Sequence, residues 1–220
     1  MKFTFAPKIF VLACFLLVCS NLSAQNDPLL AEDTVAQKEW VDSTYNAMSL
    51  KEKIGQLLMI SVSSESGKAY IEKAKKQISE EYIGGVIFSK GGPVRQAKLT
   101  NEFQQISRTP LLIGMDAEWG LAMRLDSTFA LPWNMTLGAI QDNNLIEEAG
   151  AAISRHSKRL GVHINFAPVV DINTNPNNPI IGNRSFGENK INVAEKSLAF
   201  MRGMHRVGTL SSAKHFSGSR

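Results

Sequence analysis

From residue 34 onward the hydrophobic pattern of this chain switches back and forth between two periods. Apolar residues recur at three- and four-residue spacing over residues 34–48, 68–81, 94–107, 144–160 and 193–207, as they do on one face of an α-helix. Between these segments stand short, nearly unbroken apolar runs at 57–62 (LLMISV), 85–88 (GVIF), 111–115 (LLIGM), 164–170 (INFAPVV) and 210–216 (LSSAKHF). A strand with one wet face alternates apolar and polar residues, whereas runs apolar throughout belong to strands covered on both faces by helices. The pattern therefore predicts an α/β fold with five β units in a parallel sheet. Gly84, Gly85 and Gly161 stand where a helix stops and a strand begins, and each can take the left-handed conformation that ends a helix. Residues 142–144 offer an N-cap for the fourth helix, with Glu147 and Glu148 in its first turns. Gly91, Gly92 and Pro93 read as a turn, and no interdomain linker is visible.

Ahead of this pattern, Lys2 and Lys8 flank the start of a ten-residue apolar run, IFVLACFLLV at 9–18. Ten residues are too few to span a bilayer. They match the apolar core of a secretory signal, and Leu22, Ser23 and Ala24 before Gln25 supply a small-residue cleavage site. The expected organisation is a signal peptide at 1–24, a leader and first helix at 25–49, and the α/β body at 50–220. The destination is the periplasm or the exterior; lipid attachment at Cys19 is the weaker alternative, because Val18 is larger than the residue usually tolerated before a lipidated cysteine. Cys14 and Cys19 both lie in the signal, so the processed chain has neither a disulfide framework nor a cysteine nucleophile, and no membrane span is expected in it. With 44% hydrophobic and 20% charged residues the composition is that of a globular protein, which excludes a disordered chain. The net charge of +4 includes the two leader lysines, and the densest basic stretch, residues 68–76, reads as a solvated helix face. A nucleic-acid surface would need clustered cations with interleaved aromatics.

The charged residues that remain gather where the apolar runs end. The third run leads into Asp116, Ala117, Glu118, Trp119 and Gly120, the fourth into Asp171, and the fifth contains Lys214 and His215. In parallel α/β folds that carboxyl edge is where ligands bind, because the βα loops open there. The loop at 172–189 is long and rich in Asn, Pro and Gly, with a compact core at 181–187 (IGNRSFG) suited to a shaped binding loop. No dinucleotide or P-loop glycine pattern occurs, the four histidines lack metal-ligand spacing, and no serine sits in a nucleophile elbow, so no cofactor or metal is expected. A neutral polyol is held by carboxylates that accept from hydroxyls, by Arg or Lys donors, and by an aromatic face; Asp116, Arg184, Lys214, His215 and Trp119 form such a set. Each has a structural alternative: a helix N-cap for Asp116, a buried structural histidine for His215, packing for Trp119. In an extended segment Asp116 and Glu118 would point the same way at roughly 7 Å, near the separation of a glycosidase carboxylate pair, unless a turn splays them.

Six blocks in order resemble the N-terminal (β/α)8 barrel of glycoside hydrolase family 3: residues 53–57 (KIGQL), 84–88 (GGVIF), 116–125 (DAEWGLAMRL), 165–171 (NFAPVVD), 181–187 (IGNRSFG) and 213–216 (AKHF). The last four carry the specificity. Within the family the chain is most similar to β-N-acetylhexosaminidases of Bacteroidetes-like bacteria. The resemblance implies a TIM-type barrel of which about the first five β/α units are present, and a carbohydrate ligand, an N-acetylglucosamine-containing glycan or peptidoglycan fragment. It implies that Asp116, Arg124, Arg184, Lys214 and His215 bind sugar in the −1 subsite and that Asp171 organises its loop. It further implies retaining hydrolysis of terminal β-N-acetylglucosaminides by the complete protein, with the acid/base pair and the nucleophile lying beyond residue 220; the Asp116–Glu118 pair is then not the catalytic one. Departures from the family pattern are Ser217 and Ser219 where a Pro-Gly-His-Gly stretch is expected, and Leu121 where many relatives carry arginine. β-Glucosidase activity and a non-catalytic carbohydrate-binding remnant are the alternatives.

Overall fold

The computed structural model describes residue 31 and residues 33–216. The expected signal, with Cys14 and Cys19, and the family departures at Ser217 and Ser219 lie outside the described residues. The described residues begin with helices α1 (Thr34–Ala47) and α2 (Leu50–Gln56), then alternate β1 (Met59–Ser63), α3 (Lys68–Glu80), β2 (Gly85–Lys90), α4 (Pro93–Ile106) and β3 (Leu112–Met115). After β3 come a short 3-10 turn (Leu121–Met123), α5 (Asn134–Gly138), α6 (Asn143–Arg159), β4 (Ile164–Asn165), a second 3-10 turn (Gly182–Arg184), α7 (Lys190–Val207) and β5 (Leu210–Ser211). The five strands form one parallel sheet in the order β1-β2-β3-β4-β5, as the apolar runs predict. Val62, Phe88, Met115, Asn165 and Ser211 share a row across it. Side chains just past that row stand at the carboxyl edge.

Val62, Val86, Phe88, Ile113 and Met115 on the sheet are completely buried. Ala74 and Ile78 of α3, Phe103 of α4, Ile146 and Ile153 of α6, and Phe200 and Met204 of α7 join them in one hydrophobic cluster, which anchors each helix to the sheet by its apolar stripe. The tightest helix contact joins α6 to α7. A Cβ on Gly150 would lie 2.2 Å from the Phe200 carbonyl oxygen, and one on Gly203 would lie 1.9 Å from that of Glu147. Among the described residues no helix is long and apolar enough to cross a membrane.

Three details depart from the sequence reading. Between the first helical stretch, which forms α1 as expected, and β1 stands a helix that the hydrophobic pattern does not mark, α2, started by a reciprocal capping box of Ser49 and Glu52. Gly161 ends α6 with φ +70°, as expected, but after α3 the left-handed position falls to Tyr82, φ 59°. Gly84 is required there for space, since a Cβ would lie 2.3 Å from the Gln56 carbonyl oxygen. The fourth and fifth runs are strands only over two residues each. Pro168 has no N–H to continue the ladder. Lys214 N–H bonds instead to the Pro168 carbonyl at 3.0 Å and Val170 N–H to the Lys214 carbonyl at 2.6 Å, leaving a single bridge between Val169 and Lys214.

Candidate functional site

The segment following β3 is fixed before any charge is considered. Asn165, fully buried on β4, accepts from Ala117 N–H at 2.9 Å and donates to the Ala117 carbonyl at 3.1 Å. One amide thus satisfies both polar groups of the residue between Asp116 and Glu118, and so sets the direction of each carboxylate.

Both carboxylates converge on Lys214. Its ammonium lies 2.8 Å from Asp116 Oδ1 and 2.8 Å from Glu118 Oε1. Asp116 Oδ2 also accepts from Arg124 Nη2 at 2.8 Å. Glu118 receives Arg184 in a two-point fork, Nε to Oε2 at 3.0 Å and Nη2 to Oε1 at 2.8 Å, the geometry that guanidinium and carboxylate planes favour. The network therefore contains three cations and two carboxylates drawn from the β3 edge, the 181–187 loop and the stretch after β5. Asp116 does not cap a helix; the 3-10 turn that follows it is preceded by Gly120.

The two acids differ in access. The Glu118 side chain is fully buried, whereas that of Asp116 is 24% exposed. Burial pushes both carboxyl groups upward, but Lys214 with Arg124 around Asp116, and Arg184 with Lys214 around Glu118, outweigh it, so both lie below the usual carboxylate range. Arg184 is in turn raised, chiefly by its bond to Glu118. An ionised, partly exposed Asp116 can accept from ligand hydroxyls. Lys214 has three N–H donors, two of them committed to the acids, and Arg184 has five, of which Glu118 takes two and the Ile180 carbonyl one. Donors remain on both cations for an oxygen-rich ligand.

His215 stands apart from this network. Its backbone N–H and its Nδ1 both lie on Asp171 Oδ2, at 3.0 and 2.7 Å, and its ring is 40% exposed while Asp171 is nearly buried. The Asp171 carbonyl accepts from Ser185 Oγ at 2.6 Å, and Ser185 also bonds the Gly187 carbonyl at 2.9 Å. Asp171 and Ser185 thereby tie the 181–187 loop to the stretch after β5. Trp119 packs on Trp133, ring centroids 4.1 Å apart and 47° between planes. Of the predicted residues, Asp116, Arg124, Arg184 and Lys214 meet in one network, and His215 faces Asp171 beside it. Sequence reasoning missed Glu118 as the fork that holds Arg184, and missed Asn165. The Asp-x-Glu spacing was visible for the first; for the second, the only signal was an asparagine in an otherwise apolar run.

Comparison with known proteins identifies the family. Residues 49–220 match the glycosyl hydrolase family 3 N terminal domain. The chain is 31% identical over 217 residues to beta-hexosaminidase A of Pseudoalteromonas piscicida, covering 92% of this chain and 35% of that protein. It is 30% identical to a beta-N-acetylglucosaminidase/beta-glucosidase of Cellulomonas fimi, covering 86% and 32%. Among solved structures, a family 3 beta-N-acetylglucosaminidase from Paenibacillus sp. str. FPU-7 superposes with a TM-score of 0.70 at 39% identity, covering 78% of this chain and 34% of that one. The beta-glucoside phosphorylase BglX superposes at 0.78 with 26% identity, covering 86% and 33%. The chain thus spans about a third of the length of these relatives, on the five-stranded parallel α/β scaffold that family 3 barrels share. With the domain matched over 49–220, the chain belongs to glycoside hydrolase family 3.

Proposed function

We propose that this chain supplies the sugar-binding half of a glycoside hydrolase site, and that the complete protein hydrolyses terminal β-N-acetylglucosaminides with retention of configuration. The observation that carries the reading is Asp116: an ionised carboxylate at the carboxyl edge of β3, held by Lys214 and Arg124 and open to a ligand. Asp116 accepts from sugar hydroxyls, the spare donors of Lys214 and Arg184 bind other sugar oxygens, Arg124 orients Asp116, and His215, steadied by Asp171, completes the glycone side. Neither Asp116 nor Glu118 suits a proton donor, since their cations hold both ionised. The proton donor and the attacking carboxylate are assigned to the part of the family's chain that follows the Lys-His-Phe segment. The name of the Paenibacillus relative supports an N-acetylglucosaminide and that of the Pseudoalteromonas relative a hexosaminide; that of the Cellulomonas protein names both activities and keeps β-glucosides as the second reading. The apolar run at 9–18 and the small residues before Gln25 support a signal at residues 1–24 and a periplasmic or extracellular destination; intact-mass measurement of exported material, expected to begin at Gln25, tests this.

The activity test is Asp116→Ala in the full-length protein. Two charge-assisted bonds of about 1.5–3 kcal/mol each would be lost, so kcat/KM on an activated β-N-acetylglucosaminide falls by about 10²–10⁴. A mechanism-based fluoro-sugar still labels a later carboxylate. Label on Asp116 itself overturns the binding role, and a preference for the matching β-glucoside overturns the hexosaminide assignment.

A further inference from the structure

Resting on the reading of Arg184 as a sugar ligand, we propose that Asn134 is a positioning residue for it, a buried amide that holds the Arg184 backbone so that the guanidinium keeps one aim. Asn134 opens α5 and is sealed from water. Its Nδ2 donates to the Arg184 carbonyl at 2.8 Å, across 50 positions of sequence. Its Oδ1 has no hydrogen-bond partner among the described residues. Burying an amide is costly unless hydrogen bonds compensate. Asn165 meets that cost with both ends of its amide on Ala117, whereas Asn134 commits one end, and commits it to Arg184.

The loop that carries Arg184 is attached to the body without this bond. Phe186 is buried in the hydrophobic cluster, edge-on to Phe200 of α7 with ring centroids 6.3 Å apart. Ser185 Oγ donates to the Asp171 carbonyl at 2.6 Å, and Asn192 Nδ2 reaches the carbonyls of Gly138 and Phe186 at 3.0 and 3.3 Å. Gly138 brings α5 against the same stretch, since a Cβ there would stand 1.9 Å from the Phe186 carbonyl oxygen. What Asn134 adds is local to Arg184, which is gripped twice: at its carbonyl by Asn134, and at its guanidinium by Glu118 and the Ile180 carbonyl. The fork on Glu118 sets the plane of the guanidinium, and the bond from Asn134 sets the point from which the side chain starts. With both fixed, the spare N–H groups are aimed before a sugar arrives, and binding carries no ordering cost for them. Freeing the carbonyl lets the backbone turn and the donors leave that direction, and small misplacements of a positioning group are expensive.

The experiment uses the full-length protein, an activated β-N-acetylglucosaminide as substrate and N-acetylglucosamine as a competitive inhibitor. Asn134→Leu fills the space of the amide with an apolar side chain suited to a buried position and removes only the donated bond. KM and the inhibition constant of N-acetylglucosamine are expected to rise about tenfold with kcat within about threefold, because Arg184 meets the bound sugar and the transition state alike. A role confined to stability would do the opposite: a smaller folded fraction lowers the apparent kcat and leaves KM unchanged, since the molecules still folded bind normally. Asn134→Ala is expected to raise KM to the same extent, and partial unfolding cannot mask it, because KM reads folded molecules alone. Arg184→Lys keeps a cation against Glu118 but gives up the fork, and is expected to raise KM by about tenfold itself. Asn134→Leu added to that background raises KM by less than about threefold more, because no aimed guanidinium is left to misplace. A parental KM in Asn134→Leu, or a full tenfold rise persisting on the Arg184→Lys background, overturns the positioning role and leaves the Arg184 site standing. A parental KM in Arg184→Lys overturns both.

Discussion

Glu118 is a carboxylate sealed from water and surrounded by cations, and it has no room for a ligand. Its contribution is to hold Arg184 side-on and to share Lys214 with Asp116. Replacing it by glutamine keeps the shape and removes the charge that both cations face. Breaking a buried pair in this way costs about 3–5 kcal/mol. The pH dependence follows from the sign of the shift. A carboxyl lowered by folding contributes stability above its unfolded value, about 4.3, and loses it as the pH falls through the folded value. Denaturant melts of the native and Glu118→Gln proteins should therefore differ most near neutrality and converge below about pH 4; a gap that stays constant across that range refutes the assignment. Asp116, Arg124, Arg184 and Lys214 were legible in the sequence because they sit in motif blocks at the ends of strands. The partnership of Glu118 with Arg184 spans 66 positions, and only folding brings them together. Asn165 was hidden for a different reason: a polar side chain within an apolar run carries no mark of the peptide it clamps.

The alternation of periods located every strand and most helix ends, since burial on two faces of a sheet and on one face of a helix leaves different traces in a sequence. It overextended β4 and β5, where composition stays apolar but Pro168 interrupts the ladder. It also could not show how closely α6 and α7 approach, because a glycine in a helix looks like a weakness until its neighbour is known. By propensity alone, Gly203→Ala should stabilise α7 by up to about 1 kcal/mol. The structure reverses that sign, because the new methyl would stand 1.9 Å from the Glu147 carbonyl oxygen and 2.8 Å from the Ala151 nitrogen. Forcing the helices apart costs about 1–3 kcal/mol of packing, and the burial of Ile146, Ile153, Phe200 and Met204 depends on that contact. Gly150→Ala meets the Phe200 carbonyl in the same way. Each variant is expected to melt several degrees lower, at roughly 2–4 °C per kcal/mol for a domain of this size. A melting temperature equal to or above the parent's would show that the helices slide freely.

Among the described residues the sheet has two uncovered edges, β1 and β5. Beside β5 an apolar groove is lined by Val170, Ile172, Val193, Leu198, Met201 and Ala213, with Leu198 55% and Ile172 40% exposed. Bare edges and contiguous apolar surface both promote association with other chains. A closed barrel removes the edges, and the Pseudoalteromonas and Cellulomonas relatives are about three times as long as the region that this chain covers. A polypeptide of residues 25–220 alone is therefore expected to bind a hydrophobic dye and to sediment as a concentration-dependent mixture. Its β1 and β5 amides should exchange faster than those of β2 and β3, whose Val86 and Ile113 are wholly buried. Adding the segment that follows this match in family 3 should abolish the dye signal and slow exchange at β5 while leaving β3 little changed, because β3 is already paired on both sides. Sedimentation of the shorter polypeptide as a monomer without dye binding, together with equal protection across all five strands, would show that the five-stranded sheet covers itself and needs no further unit.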